Sequence, residues 1–267
     1  MTAPRRRDVR ARLDLDADGP ARLALAIAVA KGPGVTERLE ATQDGIPLEV
    51  RELPDRHGGR LHLVDVAPGP VRVEYAASVE GALDAPTTEP LDGIEYLRPS
   101  RYCESDALAP TADAEFAGLQ GAELLAAVRG WVGSRLDYVL GSSLPTDGAI
   151  ATLLGRRGVC RDFAHLVVAL LRARDVPARV VSVYAPGLEP MDFHAVAEAL
   201  VDGSWRVVDA TGLAPRGALV RIATGRDAAD TAFLTSIGAA VSLTGYEVMA
   251  VADALPDDDG TALVELR

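Results

Sequence analysis

The spacing of hydrophobic residues changes along this chain, and that change limits the folds open to it. In the first part, apolar residues alternate with other residues, which is typical of strands, at 23–30, 61–64 and 71–75. Turn signals at Asp44-Gly45 and at 57–59 separate these strands. Several short strands at regular spacing predict a β-sandwich or a partial barrel.

From about residue 119 the spacing becomes helical. Apolar residues recur at helical intervals in three stretches, 119–139, 147–154 and 159–174. Gly155 and Pro177 are expected to end the second and third helices. Further strands are expected at 179–184, 195–201 and 205–209, and a last short strand after an acidic turn at 256–260. The segment 81–90 is the best linker candidate, so we predict an α+β chain with a β-rich domain at 1–90 and a second domain at 91–267.

Charge and composition exclude several kinds of partner. The 267 residues carry a formal net charge of −12, and no basic stripe is present that would follow a nucleic-acid backbone. No apolar run reaches the length of a membrane span. A basic stretch opens the sequence, but the apolar run at 23–30 follows too late and is too short for a signal peptide. We therefore expect a cytoplasmic protein without a nucleic-acid or membrane partner.

Cys160 stands where a helix is expected to begin. It and Cys103 are the only cysteines, which does not indicate a disulfide framework. Unpaired N–H groups and the helix dipole stabilise a thiolate there, and Arg156, Arg157 and Arg161 add positive charge. The same N–H groups would supply half of an oxyanion hole. A small buried residue at a helix start is the alternative for Cys160, whereas Cys103 is expected to be structural.

A nucleophilic cysteine needs a histidine base, and the chain has four histidines. His57 and His62 lie in the β region and are expected at the surface. His165 follows Cys160 by five residues, a spacing that points it away from the cysteine on a helix, so we expect a packed or capping residue. His194, at the start of a strand, is the remaining candidate.

A hairpin turn is predicted to bring a carboxylate to His194. Asp202-Gly203 is typical of a type I′ turn between the strand that carries His194 and the strand that ends at Asp209. With a two-residue loop, Asp209 becomes the diagonal neighbour of His194 on the same face. A three-residue loop would turn Asp209 to the other face. The alternative is that Asp209 only begins the next turn, but the cysteine, histidine and aspartate together favour a catalytic triad.

These three residues stand in blocks that resemble the transglutaminase-like superfamily of papain-like cysteine enzymes. The blocks are GVCRDFAHL, PARVVS, DFHAVAEA and WRVVDAT, in the order and at the spacing of that family. The resemblance is closest to bacterial transglutaminase-like proteins with an N-terminal β region. It is strong at 97–250 and weak in the N-terminal part.

The resemblance implies a fold and a set of roles. A helix beginning at the cysteine would pack on an antiparallel sheet that carries the histidine and the aspartate, after an N-terminal β-sandwich-like domain. Cys160 would be the nucleophile, His194 the base and acid, and Asp209 the orienting residue. The chain departs from the family at Val196, where an aromatic residue is frequent and a changed channel wall is expected. It also departs at Arg161, where glutamine is frequent and to which no role is assigned.

Three kinds of function remain open at this point. The first is a cysteine-dependent acyl-transfer enzyme acting on amide bonds of a peptide or protein through a thioester. Water would make it a protease or amidase, which we favour because no acceptor site is visible, and an amine would make it a protein-glutamine transamidase. The second is a non-catalytic binding or scaffold protein on the same fold. The third is a metal site of Cys160, His165 and His194, which the absence of paired ligand spacing disfavours, so no cofactor or metal is expected.

Overall fold

The computed structural model describes residues 4–267. The first strands along the chain are β1 (Arg6–Ala17), β2 (Ala21–Leu25), β3 (Val35–Gln43), β4 (Ile46–Pro47), β5 (Arg51–Pro54), β6 (Arg60–Val66) and β7 (Gly69–Glu80). The strands expected at 61–64 and 71–75 lie inside β6 and β7. The strand expected at 23–30 is shorter than its apolar run, because β2 ends at Leu25.

The following part combines helices with further strands. The helices are α1 (Asp92–Glu95), α2 (Ser105–Phe116), α3 (Gly121–Arg135), α4 (Ala149–Gly155), α5 (Cys160–Arg172) and α6 (Ala228–Thr231), with a 3₁₀ turn at Arg216–Ala218. The strands are β8 (Asp137–Tyr138), β9 (Arg157–Gly158), β10 (Ala178–Tyr184), β11 (Phe193–Val201), β12 (Ser204–Val208), β13 (Val220–Gly225), β14 (Leu234–Gly238) and β15 (Val241–Ala252).

Two sheets form a β-sandwich, as the sequence predicts. The larger sheet has the strand order β15-β1-β7-β3-β4, and the smaller has the order β14-β2-β6-β5. Their inward faces share one apolar core, to which β1 contributes every second residue: Val9, Ala11, Leu13, Leu15 and Ala17. This alternation is the pattern that a sheet with one buried and one solvated face requires.

A second layer of sheet and helices carries the candidate site. The antiparallel sheet β12-β11-β10-β13 has α5 packed on one face, and α2, α3 and α4 surround that helix. The residues of α5 are buried from Asp162 to Arg172, because the helix is enclosed by the sheet and by other helices. The arrangement that the family resemblance implies, a helix beginning at the cysteine on an antiparallel sheet, is confirmed.

The sandwich and the second layer are joined by more than the connecting segment. β14 pairs with β2, and β15 pairs with β1 along most of its length. The Tyr184 hydroxyl on β10 donates to the Ile27 carbonyl oxygen at 2.7 Å, and its ring lies in the sandwich core. The division near residue 90 stays a prediction, but the chain between 234 and 252, assigned to the second domain, is hydrogen-bonded into the N-terminal sheets.

Other boundaries differ from the sequence predictions. The prediction of a last short strand after the acidic turn is wrong, because residues 253–267 contain no strand. This segment instead forms a single backbone hydrogen bond with β12, in which Val207 N donates to the Val264 carbonyl oxygen at 2.8 Å. The helix predicted at 119–139 ends earlier, because Leu136 is extended and β8 pairs with β9. α2 was not predicted, because its amphipathic pattern is weak and Pro110 stands inside it.

Candidate active site

Cys160 is the first residue of α5, where the sequence predicts a helix start. Val159 before it is extended, and its N–H donates to Asp162 Oδ2 at 2.8 Å, so this carboxylate caps the helix. A Cβ added to Gly158 would lie 2.6 Å from the Asp162 Cβ. The glycine therefore leaves room for the carboxylate that fixes the helix start, with the partly exposed cysteine in the first turn.

Arg161 holds a loop against the nucleophile helix. Its Nη2 donates to Ser143 Oγ at 2.5 Å and to the Leu144 carbonyl oxygen at 2.7 Å. Ser143 Oγ in turn donates to Asp162 Oδ1 at 2.9 Å. These bonds attach the segment between β8 and α4 to the first turn of α5, a contribution that the sequence alone did not indicate.

The predicted hairpin brings His194 and Asp209 together. Asp202 and Gly203 have φ angles of 52° and 73°, the positive values that a type I′ turn requires. His194 is the second residue of β11, and Asp209 directly follows β12. His194 Nε2 lies 3.2 Å from Asp209 Oδ2, so the predicted histidine–carboxylate contact is confirmed.

Asp209 is held from several sides. Its Oδ1 accepts from the Thr211 N–H at 2.8 Å and from Thr211 Oγ1 at 2.7 Å. Arg129 Nε donates to the Asp209 carbonyl oxygen at 2.9 Å. Asp209 therefore also begins a turn, which was the alternative interpretation, and the two roles are compatible because each uses a different carboxylate oxygen.

Burial and charge together set the protonation of this pair. Both side chains are almost fully buried. Burial lowers the pKa of His194, but the charge and hydrogen bond of Asp209, together with Cys160, raise it, and the net result is a pKa of about 10. Burial raises the pKa of Asp209, but His194 and Thr211 more than offset this and hold it below its ordinary value. At neutral pH the favoured state is therefore an imidazolium on a carboxylate.

The second ring nitrogen of His194, Nδ1, is available to interact with Cys160. Within residues 4–267, Nδ1 is buried and has no hydrogen-bond partner, and Cys160 is near enough to raise the pKa of His194. Because Nε2 is on Asp209, Nδ1 is the nitrogen that can exchange a proton with the thiol. The geometry thus provides a nucleophile, a base and an orienting acceptor.

Cys160 and His194 line one cleft with a volume of about 630 Å³, which is in the range of ligand-binding sites. The facing wall comes from the C-terminal strands of the sandwich. It includes Phe233 before β14, and Leu243 and Tyr246 of β15. The sandwich therefore forms part of the cleft in which the cysteine stands.

Tyr138 lies close to the nucleophile and was missed by the sequence analysis. β8 pairs in parallel with β9, which places Tyr138 beside Gly158. Burial raises the pKa of the Tyr138 hydroxyl, and so does the charge of Cys160. The hydroxyl is therefore near Cys160. Strands of two residues are too short to produce a periodic pattern, so nothing in the sequence indicated that Tyr138 lies beside Cys160.

His165 has a structural environment, as the sequence predicts. Its ring stacks on Tyr102 with centroids 5.2 Å apart, and its Nε2 accepts from the Ala228 N–H at 3.1 Å. Burial lowers the pKa of His165 to about 3, so the ring stays neutral and can accept that bond. His165 thereby attaches the nucleophile helix to two segments that line the cleft.

His57, His62 and Val196 lie elsewhere than the sequence predicts, whereas Cys103 lies where it is expected. The surface positions expected for His57 and His62 are wrong: His57 Nδ1 lies 2.8 Å from Tyr96 Oη, and His62 is 7% exposed. Val196 lies in an apolar cluster with Val181 and Val207 and is not among the residues that line the cleft. Cys103 is a buried free thiol whose pKa burial raises, as expected for a structural cysteine.

Comparisons with known proteins agree with this fold. Residues 113–210 match the model of the transglutaminase-like superfamily. The crystal structure of a candidate cysteine protease from Cytophaga hutchinsonii is 31% identical, covers 99% of this chain and 97% of that chain, and superposes with a TM-score of 0.88. The chain therefore belongs to the transglutaminase-like superfamily.

Two further matches are weaker or shorter in overlap. An uncharacterized protein of Mycobacterium leprae, ML0607, is 31% identical over 137 residues, which are 47% of this chain and 48% of that protein. The match thus spans about half the length of this curated relative. The periplasmic domain of TgpA from Pseudomonas aeruginosa is 19% identical, covering 80% of this chain and 91% of that chain, with a TM-score of 0.43.

Residues 4–267 contain neither a metal-binding cluster nor a membrane-spanning helix. No group of three or more His, Cys, Asp or Glu side chains in this part of the chain is arranged to hold a metal ion. None of its helices has both the length and the apolar character needed to cross a bilayer.

Proposed function

We propose that this protein is a cysteine-dependent enzyme that hydrolyses amide bonds of a peptide or protein, with Cys160 as nucleophile, His194 as base and acid, and Asp209 as orienting residue. The observation that carries the proposal is the contact of His194 Nε2 with Asp209 Oδ2, made by a ring whose Nδ1 has no other partner among the described residues. Membership of the superfamily and similarity to a candidate cysteine protease support it.

In the first half-reaction, the Cys160 thiolate attacks the carbonyl carbon, and the C=O electron pair moves onto the oxygen. When the tetrahedral intermediate collapses, the C–N bond breaks, and His194 gives its Nδ1 proton to the leaving amine. Asp209 keeps the ring in place through Nε2 and stabilises the imidazolium. The products are a thioester on Cys160 and a free amine.

In the second half-reaction, water attacks the thioester carbonyl while His194 Nδ1 takes its proton. The C–S bond breaks, a carboxylic acid leaves, and the thiolate–imidazolium pair is restored. A primary amine in place of water would form a new amide and make the protein a protein-glutamine transamidase. The similarity to a candidate protease supports water as the acceptor.

The negative charge on the carbonyl oxygen needs hydrogen-bond donors. The first N–H groups of an α-helix have no acceptor within that helix, and Cys160 opens α5. The Tyr138 hydroxyl, close to Cys160, is the side-chain donor that we propose for the same oxygen. Donors fixed where charge develops are a major source of rate enhancement in acyl transfer.

Site-resolved alkylation tests the proposal without knowledge of the substrate. Iodoacetamide labelling across pH 5.5 to 9, read by mass spectrometry of the Cys160 peptide, is compared in the wild type and in His194→Ala. We expect rapid labelling near pH 6 in the wild type and a large loss of rate in the variant. Slow labelling near pH 6 in both proteins, or no labelling, would contradict the enzyme and favour a non-catalytic binding or scaffold protein.

A reactive Cys160 justifies a screen of acyl acceptors. Protein and peptide amides are incubated with and without a primary amine, and new carboxylates are distinguished from new amides by mass spectrometry. We expect carboxylates to dominate, and we expect Cys160→Ser to abolish both products.

We also propose that the protein is located in the cytoplasm, a reducing compartment in which its two free thiols would stay reduced.

A further inference from the structure

We propose that Asp192 forms a cation-binding subsite in the cleft beside Cys160, so that the substrate or acyl acceptor carries an ammonium or guanidinium group. This inference rests on the proposed function, because it concerns the selectivity of the same site. Asp192 precedes β11 and stands two residues before His194. It lines the same cleft as Cys160 and His194.

Two donors within the protein fix the carboxylate of Asp192. The Phe193 N–H donates to Oδ1 at 2.7 Å. The Tyr246 hydroxyl of β15 donates to Oδ2 at 3.1 Å. Because one contact comes from the strand of His194 and the other from the sandwich, the carboxylate is held between the two walls of the cleft rather than on a mobile side chain.

The charge of Asp192 has no fixed counterion. Burial raises the pKa of Asp192, and the only charged side chain that opposes this is His194, whose imidazolium already faces Asp209. Among residues 4–267, no arginine or lysine forms a salt bridge with Asp192, whereas Asp230 is held by Arg226. A partly buried carboxylate without a counterion gains most from a cation that the ligand supplies.

The surroundings of Asp192 also suit an organic cation. Phe193 and Phe233 stack with centroids 5.0 Å apart in the cleft lining, and aromatic rings attract ammonium and guanidinium groups. The guanidinium of Arg161 in the same lining is already bonded to Ser143 and to the Leu144 carbonyl oxygen. The cleft thus combines a carboxylate that has no counterion with aromatic side chains.

Charged thiol reagents measure this selectivity without a known substrate. Methanethiosulfonates react as the thiolate attacks the sulfenyl sulfur, forming a disulfide and releasing methanesulfinate. We compare the rates at Cys160 for the trimethylammonium-ethyl, sulfonatoethyl and methyl reagents, read by mass spectrometry. In the wild type we expect the cation to react faster than the anion, and in Asp192→Asn we expect the ratio to fall by about tenfold, as Coulomb interaction at a partly screened site implies.

Matched variants separate the local charge from other effects. Glu247→Gln removes one negative charge from the residue next to Tyr246, but Glu247 is 65% exposed and outside the cleft, so the ratio should stay at the wild-type value. Asp192→Glu should retain the preference for the cation. A reduced ratio in Asp192→Asn alone, with an unchanged circular dichroism spectrum, supports the subsite.

The failures of the two proposals can be distinguished. If the neutral methyl reagent labels Cys160 rapidly but Asp192→Asn leaves the charge ratio unchanged, the subsite is wrong and the proposed enzyme stands. If even the neutral reagent fails to label Cys160, the nucleophile and the subsite are both wrong.

Amide substrates distinguish the two sources of the cation. If the acyl part of the substrate carries it, Asp192→Asn lowers kcat/KM for peptides with lysine or arginine near the cleaved bond and not for neutral peptides. If the acceptor carries it, the variant lowers the capture of the thioester by a primary amine and leaves hydrolysis unchanged. A variant that changes neither reaction would overturn the subsite as a determinant of selectivity.

Discussion

Asp209 is the residue whose two carboxylate oxygens have separate tasks. Oδ1 is held by Thr211, and Oδ2 faces His194 Nε2. In Asp209→Asn, the oxygen can still accept from Thr211, but an NH₂ group would face Nε2 and favour the wrong tautomer of His194. We expect the amide-hydrolysing rate constant to fall by about 10³-fold to 10⁴-fold, as for other triads.

The pH dependence of labelling checks this prediction. Burial lowers the pKa of His194, but Asp209 and Cys160 together raise it to about 10. Loss of the Asp209 charge should therefore lower the pKa of His194, leave less imidazolium beside Cys160, and slow the alkylation of Cys160 near pH 6. Asp258→Asn is a suitable control, because that aspartate is paired with Arg216 outside the cleft. Equal labelling profiles for Asp209→Asn and the wild type would contradict the orienting role.

Tyr138 gives a second prediction at the scale of one residue. Its hydroxyl lies beside Cys160, and we assign it to the oxyanion. Tyr138→Phe keeps the ring that contacts Phe163 but removes the donor, so kcat should fall by about 10²-fold to 10³-fold with little change in KM. Labelling of Cys160 by iodoacetamide, which forms no oxyanion, should change little. A loss of labelling as large as the loss of kcat would show that the variant damages the nucleophile instead.

At the scale of elements, the start of α5 depends on one glycine. A Cβ on Gly158 would lie 2.6 Å from the Asp162 Cβ, so Gly158→Ala must displace the carboxylate that caps the helix. We expect a loss of about 1–3 kcal/mol in the free energy of unfolding, as for other overpacked sites, and slower labelling of Cys160. Urea unfolding and alkylation measure the two effects.

Gly155→Ala is the matched control for that variant. A Cβ at Gly155 would meet nothing within 4 Å, and the residue lies in α4. Because alanine is the better helix former, we expect unchanged or slightly increased stability. If both alanine variants have the same stability, the close approach of Gly158 and Asp162 does not determine the helix start.

The elements that sequence could predict are those with a local signal. The apolar stripe of α5 is a pattern of residues close together in the sequence, so the helix could be predicted. The turn at Asp202-Gly203 is also a local signal. Because it sets the register of β11 and β12, the contact of His194 with Asp209 could be predicted as well. α2 has no such signal, because Pro110 interrupts a weak apolar pattern. The contact between Asp192 and Tyr246 could not be predicted, because the two residues are far apart in the sequence. Only the register of the folded strands brings them together.

At the scale of the whole molecule, strands near the C-terminal end of the chain pair with strands near its beginning. β15 pairs with β1 and β14 with β2, and β15 also supplies Leu243 and Tyr246 to the cleft. A fragment of residues 91–267 would leave these two strands without partners and expose their apolar faces. We therefore expect the fragment to lack cooperative urea unfolding, and co-expression with residues 1–90 to restore a complex. A monomeric fragment that unfolds cooperatively would contradict this dependence.

His57 links the two layers and makes their stability depend on pH. It stands in the turn between β5 and β6, with Nδ1 2.8 Å from Tyr96 Oη and Nε2 3.4 Å from Asp230 Oδ2. The hydrogen bond to Asp230 raises the pKa of His57 above 6.5, although burial opposes it. A raised folded-state pKa means that the charged histidine stabilises the fold below the unfolded pKa, and that this contribution disappears as pH rises through the folded pKa.

His57→Gln should therefore cost more stability at pH 5.5 than at pH 8.5, measured as the difference from the wild type in urea unfolding. His62 provides a control of opposite sign, because burial lowers its pKa below 6.5. Its neutral form is favoured in the fold, so wild-type stability from this site is present at high pH and is lost as pH falls. His62→Gln should then cost more at pH 8.5 than at pH 5.5. The same pH trend in both variants would show that Asp230 does not hold a charged His57 between the layers.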